Sequence, residues 1–182
     1  MSYNLWGRLT YMLSPQFDIY EQVSKVVYGK VADIGSGTGF GTHLLVRNSD
    51  HVTGYEVDAA AMKFATRAFS NGKIKFISAN ICGAMPKNEY EFVTMIDVIE
   101  HIEEDHIAVY NCSNMLVHGG TFICSTPNRL SRYRKSDYHA REYSPDELKN
   151  LLELVFETVK IVDHQLNPIE TEYSNPIIGI CQ

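Results

Sequence analysis

The chain is 182 residues long, 45% hydrophobic and 21% charged, with a net charge of −6; this suits one soluble domain, residues 1–182, with a full core. The negative balance disfavours broad attraction to nucleic acid or anionic membrane, and no apolar run approaches the roughly 20 residues that cross a bilayer. Cys82, Cys112, Cys124 and Cys181 lie far apart without a Cys-x-x-Cys pair, so zinc spacing is absent and reduced thiols in a cytoplasmic protein are expected.

The first residues mix polar side chains and Arg8 into an apolar background, a poor secretory signal. Tyr3, Trp6, Arg8 and Tyr11 there suit either a flap over a ligand or an anchor to the core. Ser14-Pro15 reads as a helix cap with proline at the first helical position. Ile19, Val23, Val26 and Val27 follow at helical spacing, up to Gly29.

A strand over 30–34 then enters Asp33-Ile34-Gly35-Ser36-Gly37-Thr38-Gly39-Phe40-Gly41. Glycine is needed where the chain takes positive φ or brings its backbone close to a ligand. A strand turning through glycines into a helix can present main-chain N–H groups to a cofactor. Residue 40, where the dinucleotide fingerprint has its third glycine, is Phe. A second strand over 52–57 contains Glu56, 23 positions after Asp33, the separation at which an acid meets ribose hydroxyls.

Met62, Ala65 and Phe69 mark a helix closed by Asn71-Gly72, and a third strand over 74–77 leads into Asn80-Ile81. A fourth strand over 92–96 continues into Asp97-Val98-Ile99-Glu100-His101. Asp97, Glu100 and His101 share one face if that stretch is helical. Ala108, Cys112, Met115 and Leu116 form a helix stripe stopped by Gly119-Gly120, before a fifth strand over 121–125. The loop from Thr126 to Tyr143 carries Arg129, Arg132, Arg134 and Lys135, then His139. It suits a phosphate, a carboxylate or a nucleic-acid end, or is simply solvated. Ser144-Pro145-Asp146-Glu147 is a capping box ahead of Leu148, Leu151, Leu152, Val155 and Phe156. Strands over 159–164 and 177–181 close the chain. Glu103, Glu104, Asp105 and His106 read as a solvated face.

Alternating strands and helices imply a parallel sheet covered on both faces, with the last two strands antiparallel at one edge. Ligands of such sheets bind beyond the carboxyl ends of the strands, where Asp33, Glu56, Asn80, Asp97 and Thr126 should converge.

The glycine turn with Glu56 resembles the class I S-adenosylmethionine-dependent methyltransferases, whose first motif has the form Asp-x-Gly-x-Gly-x-Gly. The resemblance implies a Rossmann-like seven-stranded fold. It implies cofactor binding by Asp33, Gly35, Ser36, Gly37, Thr38, Gly39, Glu56, Val57, Asn80, Ile81 and Asp97. The family usually places an aspartate where Asn80 stands, to accept from the adenine amino group; the amide oxygen can still accept.

The Asp97 to Asp105 stretch, Ser125-Thr126-Pro127-Asn128 and His139 with Glu142-Tyr143 resemble two subgroups: the ubiquinone-biosynthesis O-methyltransferases and the small-RNA 3′-terminal 2′-O-methyltransferases. The second implies a divalent ion on Asp97, Glu100, His101 and His139, with Asp97 shorter than that group's Glu. Mg²⁺ prefers oxygen ligands, while imidazoles beside carboxylates also suit Mn²⁺, Fe²⁺, Co²⁺ or Zn²⁺. Without an ion, His101 is a candidate general base oriented by Glu100. The plain alternative makes both residues part of a helix start. Three functions remain open: O-methylation of a sugar, glycoconjugate or quinone precursor; 2′-O-methylation of an RNA 3′ end; or an idle cofactor-binding module. The Asp/Asn-Pro-Pro-aromatic motif of amino-directed DNA methylation is missing after Asp97.

Overall fold

A computed structural model describes residues 15–132 and 136–182. In order the elements are α1 (Pro15–Val23), β1 (Lys30–Ile34), α2 (Phe40–Leu45), β2 (His51–Glu56), α3 (Ala59–Phe69), β3 (Ile74–Ser78) and β4 (Tyr90–Ile96). One 3₁₀ turn (Ile99–His101) then leads to α4 (Asp105–Met115), β5 (Leu116–Thr126), α5 (Pro145–Leu152), β6 (Val159–Val162) and β7 (Ile177–Cys181). The expected cap Ser14 and the flap candidates Tyr3, Trp6, Arg8 and Tyr11 lie outside the described residues.

The strands form one sheet in the order β3-β2-β1-β4-β5-β7-β6. β1 to β5 pair in parallel, and β7 runs antiparallel to both β5 and β6. With no helix between β6 and β7, the chain simply turns back, as expected of an antiparallel pair. β7 inserts beside β5, which leaves β6 at the edge. Side chains alternate across the pleat: Val31 packs with Ile19, Val23, Leu44 and Leu45 on one face. Ala32 and Ile34 pack with Cys112, Met115, Leu148 and Leu152 on the other. Helices therefore cover both faces, and the loops at the carboxyl ends of the strands are free to form a site.

Of the boundaries that depart from the sequence reading, two have a visible local cause. β5 starts at Leu116 rather than at 121, because α4 passes directly into a strand whose residues 117–120 bulge out between the Tyr90–Leu116 and Phe92–Thr121 pairs. Gly119 takes φ +77° there, which a Cβ would resist. β6 ends at Val162 rather than 164 because the Asp163 carboxylate accepts from the N–H groups of Gln165 and Asn167 and turns the chain. The capping box of α5 forms as expected: Glu147 N–H donates to Ser144 Oγ, and Ser144 N–H to Glu147 Oε2.

Candidate active site

Asp33 lies near the carboxyl end of β1 but faces inward. It is 0% exposed and accepts hydrogen bonds from Tyr20 (3.0 Å), Thr42 (2.7 Å) and Thr94 (2.9 Å). Burial pushes its carboxyl up to about 6, against the pull of those three hydroxyls. In this geometry Asp33 braces α1, α2 and β4 behind the glycine turn, and it does not line the cavity described below.

The main-chain amides of that turn are not bare either. Gly35 and Ser36 N–H donate to Tyr55 O, and Gly39 N–H donates to Ser36 O. Gly37 N–H donates to Glu56 Oε2 at 2.7 Å. What the turn supplies instead is close backbone approach. Gly35 has φ +69°, and a Cβ there would collide with the Val98 side chain. Ser36 is buried and Thr38 exposed; neither they nor Gly37 and Gly39 line the cavity described next.

Beyond the carboxyl ends of β1, β2 and β4 lies a cavity of about 700 Å³, within the range that holds a small-molecule cofactor. Its walls bring together Gly35, Glu56, Val57, Asn80, Ile81, Asp97 and His101. Glu56 is held by three amides, since its second oxygen accepts from Val57 and Asp58 N–H at 2.7 and 2.8 Å. A carboxylate has about four lone-pair sites, so one remains to which a ribose hydroxyl can donate. Asn80 Oδ1 accepts from Cys82 N–H and keeps a second lone pair.

Tyr55, Cys82, Ile102, Glu103 and Glu104 also line the cavity. Glu103, Glu104 and His106 are exposed, as a solvated face requires, and the first two stand at the rim of the cavity where the chain leaves the 3₁₀ turn. Asp105 departs from that expectation: it is 4% exposed and gathers the Tyr143 hydroxyl (2.7 Å), Arg141 (2.9 Å) and His106 N–H (2.7 Å). Burial alone would raise its carboxyl, but these donors bring it below its usual range.

Asp97 takes φ +52°, which a short polar side chain tolerates. It exchanges bonds with Ser125, whose hydroxyl donates to Asp97 Oδ1 at 2.7 Å. Burial raises its carboxyl, opposed first by that hydroxyl. The tight 3₁₀ turn drives Glu100 inward and His101 outward, so the two do not share an open face as a longer helix would allow. Glu100 is 1% exposed, and its Oε2, like Thr126 Oγ1, has no hydrogen-bond partner among the described residues. Burial, then the nearby Asp97 carboxylate, pushes the Glu100 carboxyl up to about 8. An orphaned buried oxygen of this kind calls for an ion, a water or a proton.

Glu100, His101 and His139 each offer a ligand atom, all within 4.8 Å of one another. Asp97 stands outside this cluster, as a neighbour rather than a fourth member. The two imidazoles meet edge to face with centroids 4.9 Å apart. His101 Nδ1 lies 3.0 Å from Tyr138 O; a carbonyl only accepts, so Nδ1 carries the proton and Nε2 is the nitrogen with a lone pair that could meet an ion. His139 Nδ1 lies 3.2 Å from Glu142 Oε1. Metal-bound histidines are oriented in this manner, by a carbonyl or carboxylate on the other ring nitrogen. The residues present therefore fit a divalent ion.

The loop bearing His139 is pinned at both ends. Asn128, 0% exposed, donates to Glu172 O and Ser174 O, and Arg129 N–H donates to Tyr143 O. At the other end Arg141 N–H donates to Glu100 O, and Asp105 holds Arg141 and Tyr143. Arg129 is ion-paired with Glu147 and Arg141 with Asp105. Arg134 and Lys135 fall outside the described residues.

A family model described as a methyltransferase domain matches residues 32–124, from β1 through the 3₁₀ turn into β5. The chain belongs to the methyltransferase-domain family. This methyltransferase domain is 28% identical over 142 residues to a probable S-adenosylmethionine-dependent methyltransferase of Mycolicibacterium smegmatis, covering 74% of this chain and 54% of that relative. It is 26% identical over 122 residues to a ubiquinone biosynthesis O-methyltransferase of Erwinia tasmaniensis, covering 64% and 50%. The chain spans about half the length of the curated relatives it matches. An S-adenosylmethionine-dependent methyltransferase structure from Clostridium acetobutylicum superposes with a TM-score of 0.78 at 14% identity, covering 98% of this chain and 99% of that one. The fold is thus that of the S-adenosylmethionine-dependent methyltransferases. Among the described residues no helix is long and apolar enough to cross a membrane.

Proposed function

We propose that the domain transfers a methyl group from S-adenosylmethionine to a hydroxyl of a small molecule bearing a vicinal diol or catechol, with a divalent ion at Glu100, His101 and His139. The observation that carries this reading is the clustering of those three ligand atoms within 4.8 Å, with His101 also on the wall of the 700 Å³ cavity. The cofactor's methyl sits on a sulfonium that leaves as a neutral thioether, so the protein's tasks are to position the donor and to make the acceptor oxygen nucleophilic.

Glu56 and Asn80, both on the cavity wall, would take the ribose and the adenine, and Gly35 would let the cofactor lie against the main chain. Glu56, Asp97, Glu103 and Glu104 make the walls acidic, which suits a cationic sulfonium and disfavours a polyanionic acceptor. The ion would lower the hydroxyl pKa. Without it, His101, on the wall of the same cavity and held by Tyr138 O, would serve as the base. An RNA 3′ end is the weaker reading, because Arg129 and Arg141 are spent on Glu147 and Asp105. Similarity to a ubiquinone biosynthesis O-methyltransferase supports a catechol-like acceptor.

The test uses labelled S-adenosylmethionine with 3,4-dihydroxybenzoate, a methyl glycoside and a short RNA as separate probes. Transfer to a small diol is expected, abolished by chelation and restored by Mn²⁺ or Mg²⁺. Transfer that ignores the chelator would remove the ion from the mechanism. Transfer to RNA alone, lost once its terminal diol is oxidised, would replace the acceptor.

A further inference from the structure

A second cavity opens at the opposite end of the sheet, about 220 Å³ in volume and set at the amino-terminal ends of β1, β2, β3 and β4. Its walls carry Lys30, His51, Asn71, Lys73, Lys75 and Tyr90. In a chain of net charge −6, three ammonium groups around one hollow run against the overall balance. None of the three forms an ion pair among the described residues, where Lys149 alone of the lysines has one. Two carboxylates stand beside them: Glu89 on the wall and Glu91, whose Oε2 accepts from Lys30 N–H at 2.7 Å.

An independent feature points to the same hollow. The Tyr55 and Tyr90 hydroxyls lie 2.7 Å apart, and either can be the donor. The pair has two phenolic protons and uses one between them. With Tyr55 donating, the Tyr90 proton is left without an acceptor among the described residues, although Tyr90 is only 2% exposed. A buried hydroxyl pair with one proton to spare, beside three ammonium groups that outnumber the two neighbouring carboxylates, is chemistry for an acceptor-rich anion.

We propose that this hollow is a phosphoryl-binding site, taking inorganic pyrophosphate or the phosphate of a small ester. Lysine meets phosphate as a point charge, and the hollow is smaller than the roughly 300–1,000 Å³ of ordinary cofactor pockets, so it fits a phosphoryl group rather than a whole nucleotide. It stands one strand length from the cofactor cavity, so it is no part of the methyl-transfer site.

The experiment titrates the full chain with inorganic pyrophosphate and, separately, with ribose 5-phosphate, following main-chain amide resonances. Shifts are expected at residues 30, 51, 73 and 75 and not around Gly35. The Lys73→Gln/Lys75→Gln double variant should weaken binding by on the order of tenfold, since it removes two of the three charges. High salt should weaken binding by screening. Both substituted residues are exposed, so an unchanged melting temperature confirms that the variant is folded. Binding of pyrophosphate alone would identify a free inorganic anion, and binding of both a phosphoryl group in general. The absence of binding by either probe, or binding that survives the double substitution, would overturn the proposal.

Discussion

His139→Ala is expected to lower methyl transfer by on the order of 10²–10⁴, while the affinity for S-adenosylhomocysteine stays within about twofold. His139 is not on the wall of the cofactor cavity. Its ring lies against His101, and its side chain is only 9% exposed beside Glu142. Removing the imidazole takes one ligand from the cluster and leaves Glu56, Asn80 and Gly35 untouched. The surrounding loop keeps its other anchors, Asn128 and Asp105, so its path should persist. Bound Mn²⁺, measured on the same samples, should fall together with the rate. A variant that transfers methyl at the wild-type rate would place the chemistry elsewhere in the cavity, with His139 as packing.

Glu100→Gln should abolish ion binding and yet make the ligand-free protein more stable at pH 8. Burial and Asp97 raise the Glu100 carboxyl from 4.5 to about 8, so the folded state holds its proton more tightly than the unfolded chain. Stability contributed by that proton is present below about pH 4.5 and is lost as pH rises through about 8. Glutamine carries no charge and escapes this loss. The variant's advantage should therefore be near zero at pH 4–5 and grow to on the order of 3–4 kcal/mol by pH 8. Asp33, raised to about 6, adds a slope of the same sign in both proteins and cancels in the difference. Denaturant melts in the presence of a chelator at both pH values would measure it. A variant destabilised equally at pH 5 and pH 8 would mean that Glu100 is ionised and well paired in the fold.

The elements carried by local chemistry were legible in the sequence. Ser144-Pro145-Asp146-Glu147 encodes its cap within four residues, and apolar runs such as 92–96 could only be buried strands. The parallel order follows from helix-length connections, and the return of β7 from the lack of one. Cavity residues Glu56, Asn80 and Asp97 were found because strand ends in such sheets converge. What escaped depends on contacts made across the fold. The inward turn of Asp33 needs Tyr20, Thr42 and Thr94, from three other elements. Asp105 looks like one acid in a run until Arg141 and Tyr143 arrive from 36 and 38 positions away. The glycine amides looked bare because Tyr55 O and the Glu56 carboxylate, which occupy them, lie on the next strand.

Calorimetric titration of S-adenosylhomocysteine into the wild-type chain and into Glu56→Ala tests most directly that the cavity at the carboxyl ends of β1, β2 and β4 holds the cofactor. One site per chain is expected in the wild type, with affinity reduced by at least about tenfold in the variant, which loses a charge-assisted hydrogen bond to the ribose. No binding by the wild type, or equal affinity in the two proteins, would contradict that placement.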